Sequence, residues 1–351
     1  MKMPPRYVVE EGPISGGFGT TYICNDLHLS RKVVVKQISD KTELKRLIDE
    51  IVALQKVKSR HVVQIYDLII GNGGGQLALV EEFLPNNDLM DFAASGPAVA
   101  EYYNALYQIA CGVRDIHSCG IVHRDLKPNN MKRDQDGAIK IFDFGLAKIA
   151  PLPKSTSALI GTPGFMAPEL FYAPPQINFP VDAFAFGATA YFLATGMLYA
   201  GAPKGFAPPN ALPVGESIAN YVAVSSDIAQ LIDACLALDP HDRPVFSALA
   251  RALQRELLVD RHKALVADGA HSLILNKENR SVKASRGKSD SIEIAYDGYD
   301  FKVASVSGAV SINNKAAAQG DVLDGSYVIV LGDSGARRFV TFDVSHPEVL
   351  A

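Results

Sequence analysis

The chain predicts an α+β fold: a β-rich lobe, then a helical lobe, then a small all-β sandwich. Three observations carry that prediction. Short β-type runs fill residues 6–35 and 62–84 around one helix, helical apolar patterning dominates 85–260, and short alternating runs return between Ser291 and Val344. With 351 residues there is room for two domains, or for one two-lobed unit plus a module. The boundaries read as 6–260, divided near residue 84, and 269–351.

The most informative stretch is Ile121-Val122-His123-Arg124-Asp125-Leu126-Lys127-Pro128-Asn129-Asn130-Met131, followed by Asp143-Phe144-Gly145. Asp136-Gly137 between them is a two-residue hairpin signal, flanked by Met131, Ile139 and Ile141. A two-residue turn there would set Asn130 opposite Asp143, with Cβ atoms roughly 4.5–5.5 Å apart. Hard oxygen ligands, few in number, suit Mg²⁺, which keeps several waters and takes the rest of its shell from phosphates. Asp125 would share that end of the lobe, where its carboxylate could accept or orient a hydroxyl proton. These residues resemble the catalytic and metal-binding loops, HRDLKPNN and DFG, of eukaryotic-like Ser/Thr protein kinases. The resemblance implies a bilobal protein-kinase fold, and it extends over about residues 6–258.

The remaining elements follow in order. In Ile14-Ser15-Gly16-Gly17-Phe18-Gly19-Thr20-Thr21-Tyr22, Gly16, Gly17 and Gly19 would let backbone approach phosphate oxygens, as in the glycine-rich loop of that family. Ile14 stands where the family has its first glycine, and Thr21 where it has valine. Val33-Val34-Val35-Lys36 reads as a buried strand ending in a lysine, similar to V-A-I-K. Asp40 and Glu43 form a capping box that opens a helix with an apolar stripe of Leu44, Leu47, Ile48, Ile51 and Leu54. Glu50 lies beside that stripe and is the inferred partner of Lys36. A turn of about 100° per residue carries its competitor Asp49 away.

Residues 62–84 give two more strands around a loose turn at Gly71–Gly75. The second, running into Phe83-Leu84, resembles the last small-lobe strand and the hinge. Adenine would take backbone hydrogen bonds from about Glu82 to Leu84, with Glu81 guarding the back of its pocket, a position usually uncharged. Thr21, Val34 and Met131 match the positions that sandwich the adenine ring.

From Asp88 to Cys119 the pattern is helical and leads into the central loop. There the resemblance implies that Asp125 orients the attacking hydroxyl and that Lys127 reaches the transferring phosphate, which disfavours a dedicated tyrosine kinase. Asp143 to Glu169 resembles an activation segment ending in GTPGFMAPE. Ser155, Thr156 and Ser157 are exposed candidates for phosphorylation, and a phosphate there could pair with Arg124. Thr162 also carries an acceptor hydroxyl, but is expected to contact Asp125 and Lys127. Asp182-Ala-Phe-Ala-Phe-Gly187 resembles the start of the central large-lobe helix. The run Ala183–Ala202 is therefore read as a buried helix, although its length would suit a membrane span. Arg243 is placed to pair with Glu169, and a helix from about Phe246 to Val266 closes the lobe.

Residues 277–290 are polar and carry a net charge of +3. In the tail, Val310-Ser-Ile-Asn-Asn314, Val322-Leu-Asp-Gly325 and Tyr327-Val-Ile-Val-Leu-Gly332 resemble a divergent forkhead-associated (FHA) domain. Such domains bind phosphothreonine. Here Arg286-Gly287 reverses the usual Gly-Arg and no Ser-x-x-His occurs, so a phosphoprotein or a docking partner are both open.

Composition bounds the function. An apolar share of 48% allows a sizeable core. A net charge of −4 argues against nucleic acid. Four cysteines without a CxxC pair suit reduced thiols, and the start, MKMPPRYVVEE, has no apolar signal core. The expectation is a cytoplasmic Ser/Thr protein kinase of bacterial or phage type, autophosphorylating, using ATP with Mg²⁺ or Mn²⁺ on protein substrates, without a membrane anchor. The alternatives are a pseudokinase scaffold, which retention of Lys36, Asp125, Asn130 and Asp143 disfavours, and a small-molecule kinase, disfavoured by Ala167-Pro168-Glu169 and Arg243.

Overall fold

The structure, a computed structural model, describes residues 3–16, 19–38, 51, 55–71, 77–144, 146–149, 161–171, 178–201, 215–269, 271–333, 335 and 337–345. It divides into two units, Met1–Leu253 and Gln254–Leu350.

In the first unit, strands β1 (Tyr7–Gly16), β2 (Gly19–Asp26), β3 (Arg31–Ile38), β4 (Ile65–Ile70) and β5 (Leu77–Glu82) form an antiparallel sheet in the order β1-β2-β3-β5-β4. Alternation decides what each face does. Val33 and Val35 point into a core with Cys24, Ala78 and Val80, so Val34 and Lys36 lie on the opposite face. Register extends that face in two rows: Ile14, Thr21, Lys36 and Leu79, then Ile23, Val34 and Glu81.

The helical part follows with α1 (Val99–Ser118), α2 (Pro180–Thr195), α3 (Ser226–Cys235) and α4 (Phe246–Leu258). On α1, Tyr102, Leu106, Ile109, Val113 and Ile116 recur at three- or four-residue spacing and are buried. α2 is buried from Val181 to Leu193, opens on Pro180 and closes on Gly196 at φ 71°, whose N–H donates to the Phe192 carbonyl at 2.8 Å. It is thus the core helix expected inside Ala183–Ala202. Among the described residues no helix is long and apolar enough to cross a membrane. Near its start, Arg243 makes a two-pronged pair with Glu169 at 2.7 and 2.9 Å and donates to the carbonyls of Pro180 and Ala237.

Four short strands lie between α1 and α2: β6 (Ile121–Val122), β7 (Met131–Arg133), β8 (Ile139–Ile141) and β9 (Lys148–Ile149). Their hairpin differs from the expected one by a residue. Met131 pairs with Ile141 and Arg133 with Ile139, and the Phe142 N–H donates to the Asn130 carbonyl. Asn130 therefore stands opposite Phe142, not Asp143. The cause is Asp134, whose Oδ1 accepts from the Asp136 and Ala138 N–H groups and closes a three-residue loop, with Gly137 in the left-handed region at φ 83°.

The second unit is all-β after α4. It contains β10 (Lys263–Ala267), β11 (Ser272–Leu275), β12 (Ser281–Arg286), β13 (Asp290–Tyr296), β14 (Phe301–Ser307), β15 (Val310–Ile312), β16 (Lys315–Ala316), β17 (Ser326–Leu331) and β18 (Arg338–Ser345). One sheet runs β11-β10-β18-β17-β15-β16 and the other β12-β13-β14. Ile292, Ile294 and Phe301 of the second share a single core with Ala264, Ile329 and Phe342 of the first, which makes the pair a sandwich. The helix expected to reach Val266 stops at Leu258, with Asp260 left-handed at φ 59° just beyond it. Buried Ala264 and Val266 flank exposed Leu265, a period of two, so this piece is a strand between β11 and β18.

Arg243→Ala should lower the unfolding free energy of the chain by about 3–5 kcal/mol, because it strands a carboxylate and two carbonyls in a dry site. Urea denaturation measures this. A loss below about 1 kcal/mol would show that the pair adds no stability.

Candidate active site

The central loop is held from below by Asp182, a fully buried carboxylate on α2. Its Oδ2 accepts from the His123 N–H, its Oδ1 from the Arg124 N–H, and Nε2 of His117 lies on Oδ2, all at 2.8 Å. Burial alone would raise its pKa, but the His117 hydrogen bond and charge, with the Arg124 N–H, hold it below the ordinary carboxylate value. The grip also explains how Arg124 is kept at φ 73°, a strained position for a long side chain. The Arg124 guanidinium, its pKa lowered by burial, reaches the Leu146 carbonyl.

Above that clamp four predicted residues converge. Asp125 Oδ2 accepts from Asn130 Nδ2 and faces Lys127 Nζ, both at 2.8 Å, while its Oδ1 accepts from the Thr162 hydroxyl at 2.8 Å. Lys127 Nζ also donates to Thr162 Oγ1 at 2.6 Å. Thr162 thus bridges base and lysine. A carboxylate so placed can take or orient a hydroxyl proton, and an adjacent ammonium can meet negative charge leaving the same spot.

The Asn130 amide nitrogen is spent on the Asp125 carbonyl and carboxylate, which leaves its oxygen as an acceptor. Asp143 follows Phe142 at φ 66°, so the strand's regular alternation breaks at that carboxylate. An amide oxygen and a carboxylate are a donor set that fits Mg²⁺, with the remaining positions left to water and phosphate.

Beside the sheet face described above lies a cavity of about 300 Å³. Ile14, Thr21, Val34, Lys36 and Glu82 line it from the strands, Leu84 from the segment that follows. Gly16 pairs with Gly19 at the end of the β1–β2 ladder, while Gly17 and Phe18 lie outside the described residues. The Glu82 N–H is committed to the Gln64 carbonyl, and the Glu82 carboxylate pairs with buried Lys140 at 2.9 Å. On the far side the expectation fails. Met131 is fully buried behind the strand, and Lys132 and Phe142 line the cavity instead. Alternation was the signal that would have found Lys132: in β7 a buried Met131 turns its neighbour outward.

Lys36 pairs with Glu81 at 3.1 Å. The sequence places Glu81 at the back of the pocket and offers no signal that pairs it with Lys36. Glu50, Ser155, Thr156 and Ser157 lie outside the described residues. His117, the third partner of Asp182, was also missed; its place one residue before the end of α1 carried no motif.

A family model described as a protein kinase domain matches residues 12–255. The serine/threonine-protein kinase PkaB of Streptomyces coelicolor is 31% identical over 280 residues, covering 73% of this chain and 64% of that protein. Serine/threonine-protein kinase drp72 of Corynebacterium efficiens is 30% identical over 277 residues, 73% of this chain and 52% of its own length. Maternal embryonic leucine zipper kinase of Xenopus tropicalis is 31% identical over 200 residues, 55% of this chain and 30% of its own. The chain therefore spans less than two thirds of each of these relatives.

Asp182 makes a pH prediction with a definite sign. Its folded pKa is depressed, so its stabilisation is fully present above the unfolded value of about 3.9 and is lost as pH falls through the folded pKa. Asp182→Ala should cost about 1–3 kcal/mol for each backbone N–H it leaves unpaired at neutral pH. It should also flatten the acid limb of the stability curve; parallel acid limbs for variant and parent would rule this out.

Proposed function

The chain belongs to the protein kinase domain family, and from that premise we propose that it transfers the γ-phosphoryl group of ATP to serine or threonine hydroxyls of proteins. The observation that carries the reading is the convergence of Asp125, Lys127, Asn130 and Thr162 on one another. The cavity lined by Lys36 supports it from the nucleotide side.

In this reading Lys36 and the hairpin of β1 and β2 orient the triphosphate, and Leu84 borders the adenine. Mg²⁺ held by Asn130 and Asp143 would offset phosphate charge. Asp125 accepts the hydrogen bond of the incoming hydroxyl and fixes its lone pair toward phosphorus. Lys127 meets the charge on the transferring group. Thr162 is where an acceptor hydroxyl would have to enter, since it already occupies Asp125 Oδ1. Most of the rate gain in such chemistry comes from positioning and electrostatics.

The second unit we read as an FHA-like docking module, supported by the six-stranded order β11-β10-β18-β17-β15-β16 and its glycine turns. Arg286, the candidate phosphate ligand, pairs with Asp290 at 3.0 Å, and Asp290 also accepts the Ala309 N–H. That engagement favours docking over phosphothreonine capture. A reducing, cytoplasmic setting is supported by four free cysteines, three of them buried.

Asp125→Ala should reduce transfer of radiolabel from [γ-³²P]ATP to casein by about 10²–10⁴-fold. Calorimetry should find MgATP binding nearly intact. Equal transfer by the variant would refute the assignment.

A further inference from the structure

A second hollow, of about 780 Å³, borders β4 and residues 57–60, the segment that leads toward it. Gln55, Lys58, Arg60, Gln64 and Tyr66 line it, and none of these side chains makes a hydrogen bond or ion pair with a described residue. The stretch that carries the two cations is tied down. Ser59 between them donates its hydroxyl to Asp115 at 2.6 Å and accepts the His61 N–H at 3.2 Å. Lys140 reaches the same hollow from β8. Its side chain is 6% exposed, and its ammonium meets Glu82 at 2.9 Å, one contact for three N–H donors. Among the described residues the hollow has one lining carboxylate, Asp67, and both its oxygens are engaged. Oδ2 accepts from the Tyr7 hydroxyl at 2.7 Å and from Arg6, and Oδ1 accepts the Leu68 N–H. Three lining cations less one carboxylate leave +2.

We propose that this hollow binds a small molecule carrying a diphosphate group, at a site distinct from the nucleotide cavity. Solvated charge is the ordinary state of an exposed lysine or arginine. Here Lys58 and Arg60 share a wall with a buried ammonium, and no open carboxylate faces them. A guanidinium presents a planar fork that matches phosphate oxygens, and an ammonium adds a point charge beside it. Two linked phosphates would match the surplus of two charges and give each cation its own acceptor. The Gln55 and Gln64 amides and the Tyr66 hydroxyl remain for the rest of the ligand. Arg60, Tyr66 and Lys140 also line a neighbouring hollow of about 610 Å³, where the Arg31 guanidinium lies 3.3 Å from the centre of the Tyr66 ring. An organic body attached to the diphosphate thus has room beyond the anion site, in a space of the size small-molecule sites have. Glu82 lines that neighbouring hollow and the nucleotide cavity too, so the Lys140–Glu82 pair touches both. The proposal goes beyond the phosphotransfer reading and stands whether or not the chain transfers phosphate.

Calorimetry on the full chain with sodium pyrophosphate tests it, in EDTA so that no metal carries the probe to Asn130 and Asp143. The parent should bind with a Kd of about 0.1–1 mM. Lys58→Gln/Arg60→Gln should weaken binding by about tenfold or more. Lys36→Met, which removes the lysine of the nucleotide cavity, should stay within about threefold of the parent, since its charge lies outside this hollow. No binding by the parent overturns the proposal, as does binding unchanged in the double variant or lost in Lys36→Met. Sulfate at the same ionic strength should bind about tenfold more weakly than pyrophosphate; equal affinity would mark a general anion patch and overturn the diphosphate assignment.

Both substituted residues are exposed, so the double variant should fold. A second readout uses this. Saturating pyrophosphate should raise the Tm of the parent and leave that of Lys58→Gln/Arg60→Gln unmoved. Equal rises in the two proteins place the probe elsewhere and overturn the site.

Discussion

Two consecutive backbone N–H groups, from His123 and Arg124, converge on the two oxygens of one carboxylate that has no water around it, Asp182. That contact turns the loop before Asp125 into a fixed shape. Short loops between strands and helices ordinarily vary because their polar groups can trade partners with solvent. Here solvent is excluded and the donors have one acceptor to share, so the strained φ of Arg124 is held rather than relaxed. Asp125 inherits its position from this clamp. Its own carboxylate is then free to gather Asn130, Lys127 and Thr162.

The same logic recurs at two other buried charges of the first unit. Arg243 and Glu169 close the large-lobe core with two parallel hydrogen bonds, and Lys140 meets Glu82 under the hinge. Buried pairs of this kind add little net stability over apolar packing, because desolvation offsets attraction. What they impose is direction: an ammonium or guanidinium in a dry site accepts only the geometry in which its carboxylate is within reach. The pairs therefore tie together segments distant in sequence, 74 residues apart for Arg243 and Glu169 and 58 for Lys140 and Glu82.

The bilobal plan was legible because the central helix, the β-rich start and the central loop each combine a period with specific polar residues. The meeting of Asp125, Lys127, Asn130 and Thr162 needed no register, since the motifs that carry them were enough to bring them together. Register was where inference from sequence went astray. Asp136-Gly137 is a good two-residue turn, but the Asp134 side chain captures two N–H groups and lengthens the loop by one. The Met131 expectation fails for a separate reason: Met131 is fully buried, and strand alternation turns Lys132 to the cavity instead. Past Leu258 the error has another source. Leu265 beside Ala264 and Val266 suits a helix by composition, and only the paired edges of β11 and β18 make it a strand.

Lys132 changes the charge of the cavity. Four charged side chains line it among the described residues: Lys36, Glu81, Glu82 and Lys132. Glu81 is matched by Lys36 and Glu82 by Lys140, which comes from outside the lining. Lys132 extends over the Phe142 ring, its ammonium 5.8 Å from the ring centre. Its methylene stem can cover the apolar floor while the charge stays at the edge. An apolar residue there would leave the cavity with two carboxylates against one lining cation. With Lys132, the balance at the wall is even before Lys140 is counted, and a polyanion is no longer repelled on entry. A lysine in place of the expected methionine thus offsets the second oddity of this cavity, a buried glutamate on its wall.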